Sequence, residues 1–377
     1  MRIRLVAIAL SLTLAAACVG GVERPTRGAS STPATTRTGT ASTTTAPASA
    51  APRPSTNPTG PAPSTSAPSG AGVPLLAPGV QAWVRVSMAT LWRAPDSPRA
   101  VDAPALRAPA DIRGWLGGMT DADRRGLVDR ADSQSLLGDR VVVTQVRGAW
   151  VRVVVPDQPT PLDPRGYPGW LPKAQLSTTP PFSGVTIATV VRPTTWLRSE
   201  AAASQRGVEV SYGTHLPVIG LTGDWVHVSL PGGQAGRLAR ASAVVRAGGE
   251  PAQPPTGASL VRSAQSFTGL AYLWAGRSGF GFDCSGLTSL VYRVHGLTIP
   301  RDADAQAGAG RPVSQGARVP GDLLFYATAS GFVHHVSMDA GSGAIVHAPA
   351  TGKAVETVPV TAAPYAAEYA GARHYLP

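Results

Sequence analysis

Cysteine is scarce in this sequence: only Cys18 and Cys284 occur, near the start and in the last third of the chain. A bridge between them would tie an export-like leader to a distant domain, so a disulfide framework is excluded and each thiol is expected to have its own chemistry. No apolar run is long enough to span a bilayer; the run Leu5 to Leu14 is too short and lies where the hydrophobic region of a signal peptide belongs. Aromatics make up only 6% of the chain and are missing altogether before Trp83. Acidic residues are outnumbered, 22 against 33 Lys and Arg, leaving a net charge of +11. Zinc-finger spacing, an aromatic-basic sheet motif and a basic helix are all missing. Nucleic acid is therefore not the expected partner, and the positive charge suits anionic membrane surfaces or acidic wall polymers instead.

What is abundant is glycine and proline, 42 and 36 of 377 residues, in a chain long enough for two or three domains. Arg2 and Arg4 precede the apolar run, which ends in Ala15-Ala16-Ala17-Cys18. Small residues leading into a cysteine resemble the lipobox of bacterial lipoproteins, with Ala15 where Leu is more usual. That resemblance implies a lipoprotein signal peptide over residues 1–18, cut just before Cys18, with Cys18 acylated as the new N-terminus and a lipid anchor on the outer face of the bacterial cell membrane. An ordinary signal peptide cut nearby is the alternative. Residues 19–79 are rich in Ser, Thr, Pro and Ala and cannot bury enough apolar surface to offset their ordering entropy. They are expected to form an extended tether, or a glycosylated stalk of the same composition.

Two strand-rich segments follow, 80–177 and 182–246. The first contains Ala82 to Val86, Arg140 to Thr144 and Trp150 to Val155, with a helical insertion expected from Asp111 to Ala131. The second repeats the theme: Leu91-Trp92-Arg93 matches Trp196-Leu197-Arg198, and Gly148-Ala149-Trp150-Val151 matches Gly223-Asp224-Trp225-Val226. The repeats resemble bacterial SH3-like domains, in which Trp150 and Trp225 are expected to pack into the cores. A Gly/Pro linker, 247–257, leads to an α+β segment at 258–377. It should hold helices from Val261 to Phe267 and from Cys284 to His295. Strands are expected at Leu323 to Tyr326, Val333 to Met338, Ala344 to His347 and Val355 to Val358.

Cys284 begins the second of these helices, where the dipole and unpaired N–H groups favour thiolate. A thiolate nucleophile needs a base and a group to orient it. His335 and His347 lie on successive strands joined by the turn Asp339 to Gly343, so an antiparallel hairpin brings them side by side. A zinc site is the competing reading of Cys284, His334, His335 and His347. Adjacent strand residues point to opposite faces, however, and no further ligand motif completes a set, so no metal or other cofactor is expected.

From about Ala258 onward the sequence resembles the NlpC and P-sixty cysteine peptidases, which have a papain-like fold and cut peptidoglycan stem peptides. The resemblance rests on Tyr272-Leu273-Trp274-Ala275-Gly276, Asp283-Cys284-Ser285-Gly286-Leu287, Ile299-Pro300-Arg301-Asp302, Pro320-Gly321-Asp322-Leu323, His335-Val336 and His347-Ala348-Pro349. It implies a multidomain chain of two all-β SH3-like barrels followed by an α+β papain-like peptidase domain. It also implies Cys284 as nucleophile, His335 as base, His347 as its orienting partner, and Tyr272, Asp283 and Ser285 in the substrate groove. Gly166-Tyr167-Pro168-Gly169-Trp170 and the preceding Pro-rich turn look like the subgroup with two such barrels. Those enzymes are γ-D-glutamyl-L-diamino acid endopeptidases acting on peptides with a free N-terminal L-Ala. By that likeness Asp302 grips the amine, Asp102 gives a second acidic contact, and Leu137 replaces an aromatic of the groove wall. A monomer is expected. Wall remodelling on intact peptidoglycan, and an inert wall-binding module, are the rival readings.

If Cys18 carries a diacylglyceryl group, Cys18→Ser moves the protein out of the membrane fraction. Unchanged fractionation of the variant would contradict the lipobox reading.

Overall fold

The computed structural model describes residues 75–182, 184–200 and 207–377. The leader, Cys18 and nearly all of the expected tether lie outside them.

The first barrel has seven antiparallel strands. Their spatial order is Ala131–Leu136, Met88–Trp92, Tyr167–Pro172, Trp150–Val155, Arg140–Arg147, Gln81–Val84 and Leu176–Ser177. Strand alternation explains the core: Val151, Val153 and Val155 point inward onto Ala82, Val84, Val141 and Leu171, all buried. The expected insertion is only partly helical. Asp111 caps Ile112–Gly118 by accepting the Gly114 N–H, and Thr120 caps Asp121–Arg125 in a capping box with Asp123. A strand then begins at Ala131, where helix was expected to end.

The second barrel repeats this arrangement strand for strand. Val208–Ser211, Thr194–Ser199, Ala235–Ala239, Trp225–Ser229, His215–Thr222, Thr186–Val190 and Ala243–Ala247 lie in that order. The two matched hairpins turn at Gly148 and Gly223, whose φ angles of 56° and 53° are left-handed and therefore favour glycine. The two tryptophans after these turns leave the cores of their barrels to valines. Trp150 is half-buried against the large central cluster. Trp225 faces outward between the guanidinium groups of Arg198 and Arg237, 5.2 and 4.5 Å from its ring centre. Val226 and Val228 take the inward positions.

The third part sets two longer helices, Gly257–Gln265 and Cys284–Val294, and the short helices Ala303–Ala307 and Tyr365–Glu368 against a six-stranded antiparallel sheet. The strand order is Arg311–Val313, Tyr369–His374, Leu323–Ala327, Val333–Gly341, Ala344–His347 and Glu356–Pro359. The first helix, Gly257–Gln265, starts earlier than its apolar periodicity suggested, because Thr256 caps it by accepting the Ser259 N–H. The hairpin carrying the histidines is tighter than expected: its first strand runs to Gly341, and only Ser342 and Gly343 form the reversal, both with positive φ.

All three parts share one core. Trp92 and Trp115 of the first barrel, Tyr212 of the second, and Phe267, Phe282 and Leu290 of the third belong to a single buried cluster. Polar contacts fix the register of the first barrel on the third part. Gln134 Oε1 accepts from the Arg277 N–H (2.9 Å) and from Ser278 Oγ (2.8 Å), and Arg293 Nη2 donates to Asp139 Oδ1 (2.8 Å). Trp274 Nε1 donates to the Ala131 carbonyl at 2.8 Å. The first barrel is thus a fixed wall beside Cys284.

Candidate active site

Cys284 is the first residue of the helix Cys284–Val294, and Asp283 is its cap, accepting the Gly286 N–H at 2.6 Å. The capping carboxylate is itself held by a buried arginine. Arg301 Nη2 donates to Asp283 Oδ2 (2.7 Å) and Nη1 to Oδ1 (3.1 Å), a bidentate pair. The same guanidinium donates from Nη1 to Ser285 Oγ (3.0 Å) and from Nε to Ser133 Oγ of the first barrel (2.9 Å). Asp283 and Ser285 thus reach the groove through this network, which also joins the barrel to the start of the cysteine helix.

The histidines come from adjacent strands, as their spacing predicted. His335 Nε2 and His347 Nδ1 are 2.8 Å apart, with the rings edge to face. Tyr365 stacks on His335 at 5.5 Å between ring centres and sets its ring across His347 at 4.7 Å. His335 and His347 are buried, whereas His334 is half-exposed at the rim, 3.4 Å from Glu368. Strand alternation separates the two neighbouring histidines. The backbone N–H of Val336, next to His335, acts on Cys284 to favour its thiolate, which sets the base strand beside the nucleophile.

Burial governs the charges of this site. It pushes the Cys284 thiol up to about 12, reinforced by Asp283 and opposed by the N–H groups of Val336 and Ser285 and by Arg301. It also pushes the His335 imidazole down to about 3, with His347 and His334 acting in the same direction. The helix dipole alone suggested a resting thiolate. Desolvation outweighs it here, and the resting pair is a neutral thiol beside a neutral imidazole able to accept its proton.

Cys284 opens into a cavity of about 540 Å³ that is also lined by Tyr272, Asp283, Ser285 and Asp302. The first barrel supplies Arg93, Asp132, Leu162 and Tyr167 to the same cavity. On its wall the Tyr167 hydroxyl donates to Asp302 Oδ1 at 3.3 Å, and Arg301 lies 3.9 Å away.

Two expected groove residues are elsewhere. Asp102 is fully buried, accepting from Trp115 Nε1 and Arg99 Nε, both at 2.9 Å, so it anchors the insertion of the first barrel. Leu137 packs into the core of the second barrel, not into the groove. The acidic residue that the first barrel does present is Asp132, at the start of a strand read as the end of a helical insertion. Tyr167 and Trp274 lay within motifs already noted in the sequence, but which faces meet across the barrel contact is a tertiary fact.

A profile of the NlpC/P60 family matches residues 269–374, and one of the YKFC SH3b2 domain matches residues 190–245. The chain is 40% identical over 304 residues to a protein of Bacillus cereus (strain ATCC 10987 / NRS 248) named gamma-D-glutamyl-L-lysine dipeptidyl-peptidase. The match covers 79% of this chain and 91% of that one. The chain belongs to the NlpC/P60 family. It is a cysteine peptidase built of two SH3-like barrels and an NlpC/P60 domain. A Bacillus subtilis (strain 168) protein of the same name is 39% identical over 292 residues, 76% of this chain and 96% of that one. The crystal structure of an NlpC/P60 family protein from Bacillus cereus ATCC 10987 superposes with a TM-score of 0.75 at 38% identity. It covers 79% of this chain and all of the other.

Arg301 gives this site its sharpest structural test. Arg301→Met leaves the Asp283 carboxylate buried without its guanidinium, which should cost about 3–5 kcal/mol. The variant should unfold at clearly lower urea concentration and lose activity. A midpoint within error of the parent would contradict the role given to this pair.

Proposed function

We propose that the protein hydrolyses the γ-D-glutamyl-diamino acid bond of peptidoglycan stem peptides that carry a free N-terminal L-Ala. Relatives of nearly full length bear names for a γ-D-glutamyl-L-lysine activity. The observation that carries the narrower reading is the contact of Asp302 with Tyr167 of the first barrel on the wall of the cavity that holds Cys284. A carboxylate there pairs with an ammonium, while a glycan-linked amide at the same position leaves it without a counter-charge. Tethered through Cys18 at the outer membrane face, the enzyme would meet such peptides as they leave the wall.

In this reading His335 takes the proton of the Cys284 thiol, and the sulfur attacks the side-chain carbonyl carbon of D-Glu. With Nε2 engaged by His347, the base is His335 Nδ1. Cys284 is the first helical residue, so its N–H has no intrahelical acceptor and can donate to the developing oxyanion. The imidazolium returns the proton to the leaving amine of the diamino acid, which departs and leaves a thioester. Water, deprotonated by the same imidazole, then cleaves the thioester to give L-Ala-D-Glu and the free thiol. Proton transfer creates a thiolate and an imidazolium together, and their mutual attraction offsets the burial that disfavours either charge alone.

The test is pH-resolved kinetics on an L-Ala-γ-D-Glu-diamino acid peptide and its N-acetylated form. Burial pushes the Asp302 carboxyl up to about 6, against the pull of Arg301. Asp302 is therefore ionised above that pH and neutral below it. For the free-amine peptide, kcat/KM should fall below pH 6, and again above about pH 8, where the substrate amine loses its proton. The acetylated peptide should be cut at least about tenfold more slowly, because the carboxylate then faces a neutral, bulkier group. Asp302→Asn should shrink that preference. Equal kcat/KM for the two peptides would favour wall remodelling, and residual hydrolysis by Cys284→Ala would remove the nucleophile from the account.

A further inference from the structure

His347 orients His335 through Nδ1, which leaves its other ring nitrogen to be accounted for. His347 Nε2 is buried and makes no hydrogen bond among the described residues. A buried imidazole nitrogen without a partner is costly if it bears a proton, and its surroundings then decide which tautomer the ring adopts. One acidic group faces it. Glu356 Oε1 stands 3.4 Å from His347 Nε2, its side chain 40% exposed while that of His347 is fully buried. The distance is slightly long for a hydrogen bond and short for an ion pair. The backbone brings the two together, because His347 and Glu356 are direct partners in the antiparallel pairing of Ala344–His347 with Glu356–Pro359. Residues paired in that way project from the same face of the sheet.

We propose that Glu356 is a positioning residue that holds His347 as the Nε2–H tautomer, so that His335 presents a bare Nδ1 to Cys284. This rests on the cysteine peptidase roles given above. Two tautomer arrangements satisfy the 2.8 Å contact between the histidines. In the first, His335 Nε2–H donates to His347 Nδ1, His347 carries its proton on Nε2, and His335 Nδ1 has a free lone pair. In the second the shared proton sits on His347 Nδ1, His347 Nε2 is bare, and His335 carries its proton on Nδ1. Only the first arrangement contains a base for the thiol. The carboxylate of Glu356 attracts an N–H and repels a lone pair, so it selects the first. Other groups around the pair do not make this choice. Tyr365 and Tyr326 face the rings as aromatic surfaces. Lys353 bears on His347 as a positive charge and His334 bears on His335. Neither supplies an acceptor to Nε2.

The test combines kinetics with direct observation of the tautomer in the full chain. Glu356→Ala should lower kcat about tenfold or more, the scale seen when a group orienting a functional imidazole is removed, with KM within about twofold. Glu356→Gln should recover part of that loss, because its amide oxygen still accepts from Nε2–H. Both variants should keep the thermal midpoint of the parent. In nitrogen-15 spectra of histidine-labelled protein, His347 should be the Nε2–H tautomer in the parent and in Glu356→Gln, and should lose that preference in Glu356→Ala. An Nδ1–H tautomer in the parent, a kcat in Glu356→Ala within about twofold of the parent, or a loss confined to KM would each overturn the proposal. The tautomer can also be read on the inactive Cys284→Ala protein. The hold of Glu356 on His347 is therefore testable even if the nucleophile has been misassigned, and that error would show separately as activity in Cys284→Ala.

Discussion

The buried pair of Arg301 and Asp283 holds the active site together. Asp283 must cap the cysteine helix for Cys284 to occupy its first position, and a capping carboxylate with so little exposure needs a cation. Arg301 supplies it, and its remaining donors reach Ser285 on the helix and Ser133 on the first barrel. Its own N–H donates to the Pro159 carbonyl, a second tie to that barrel. Asp302 follows directly in the chain, so the residue proposed to receive the substrate amine is placed by the same anchor. One side chain thereby couples nucleophile placement, barrel docking and the position of Asp302 on the cavity wall.

Burial gives this site its chemical character. A thiol kept neutral at rest is a weak nucleophile toward adventitious reagents, and a neutral imidazole is already in the form that accepts a proton. Tyr365 covers the histidine pair, so the contact between the rings is made in a water-poor setting where hydrogen bonds are stronger. The cost is that charge separation must occur within the site during turnover, when substrate fills the cavity.

Much of this was legible in the sequence, and the boundary of what was legible has a physical cause. Local rules sufficed for the cysteine at a helix start and for the histidine hairpin, because capping and strand alternation act over a few residues. The repeat of Gly148 and Gly223 before tryptophan marked the two barrels for the same reason. Contacts between domains were not legible. Likeness to the two-barrel subgroup puts Asp102 in the groove, yet it is spent on Trp115 and Arg99. Asp132, only 30 residues on, lines the groove because a strand begins where helix was expected. Trp225 looked like a core residue by its pattern, but the valines after it fill the core and its ring lies between arginines. Arg301 stood in a recognised motif without a role, since nothing local reveals that a guanidinium will be buried across a domain boundary.

The central claim is that Cys284 attacks the D-Glu carbonyl of a peptide whose free L-Ala amine is held by Asp302. It is tested most directly by rapid quenching in acid during turnover of an L-Ala-γ-D-Glu-diamino acid peptide, followed by mass spectrometry of the digested protein. The account predicts a thioester adduct of L-Ala-D-Glu, less one water, on the peptide containing Cys284. Product formation at full rate with an unmodified Cys284 peptide at every quench time, together with unchanged turnover after that thiol has been alkylated, would contradict it.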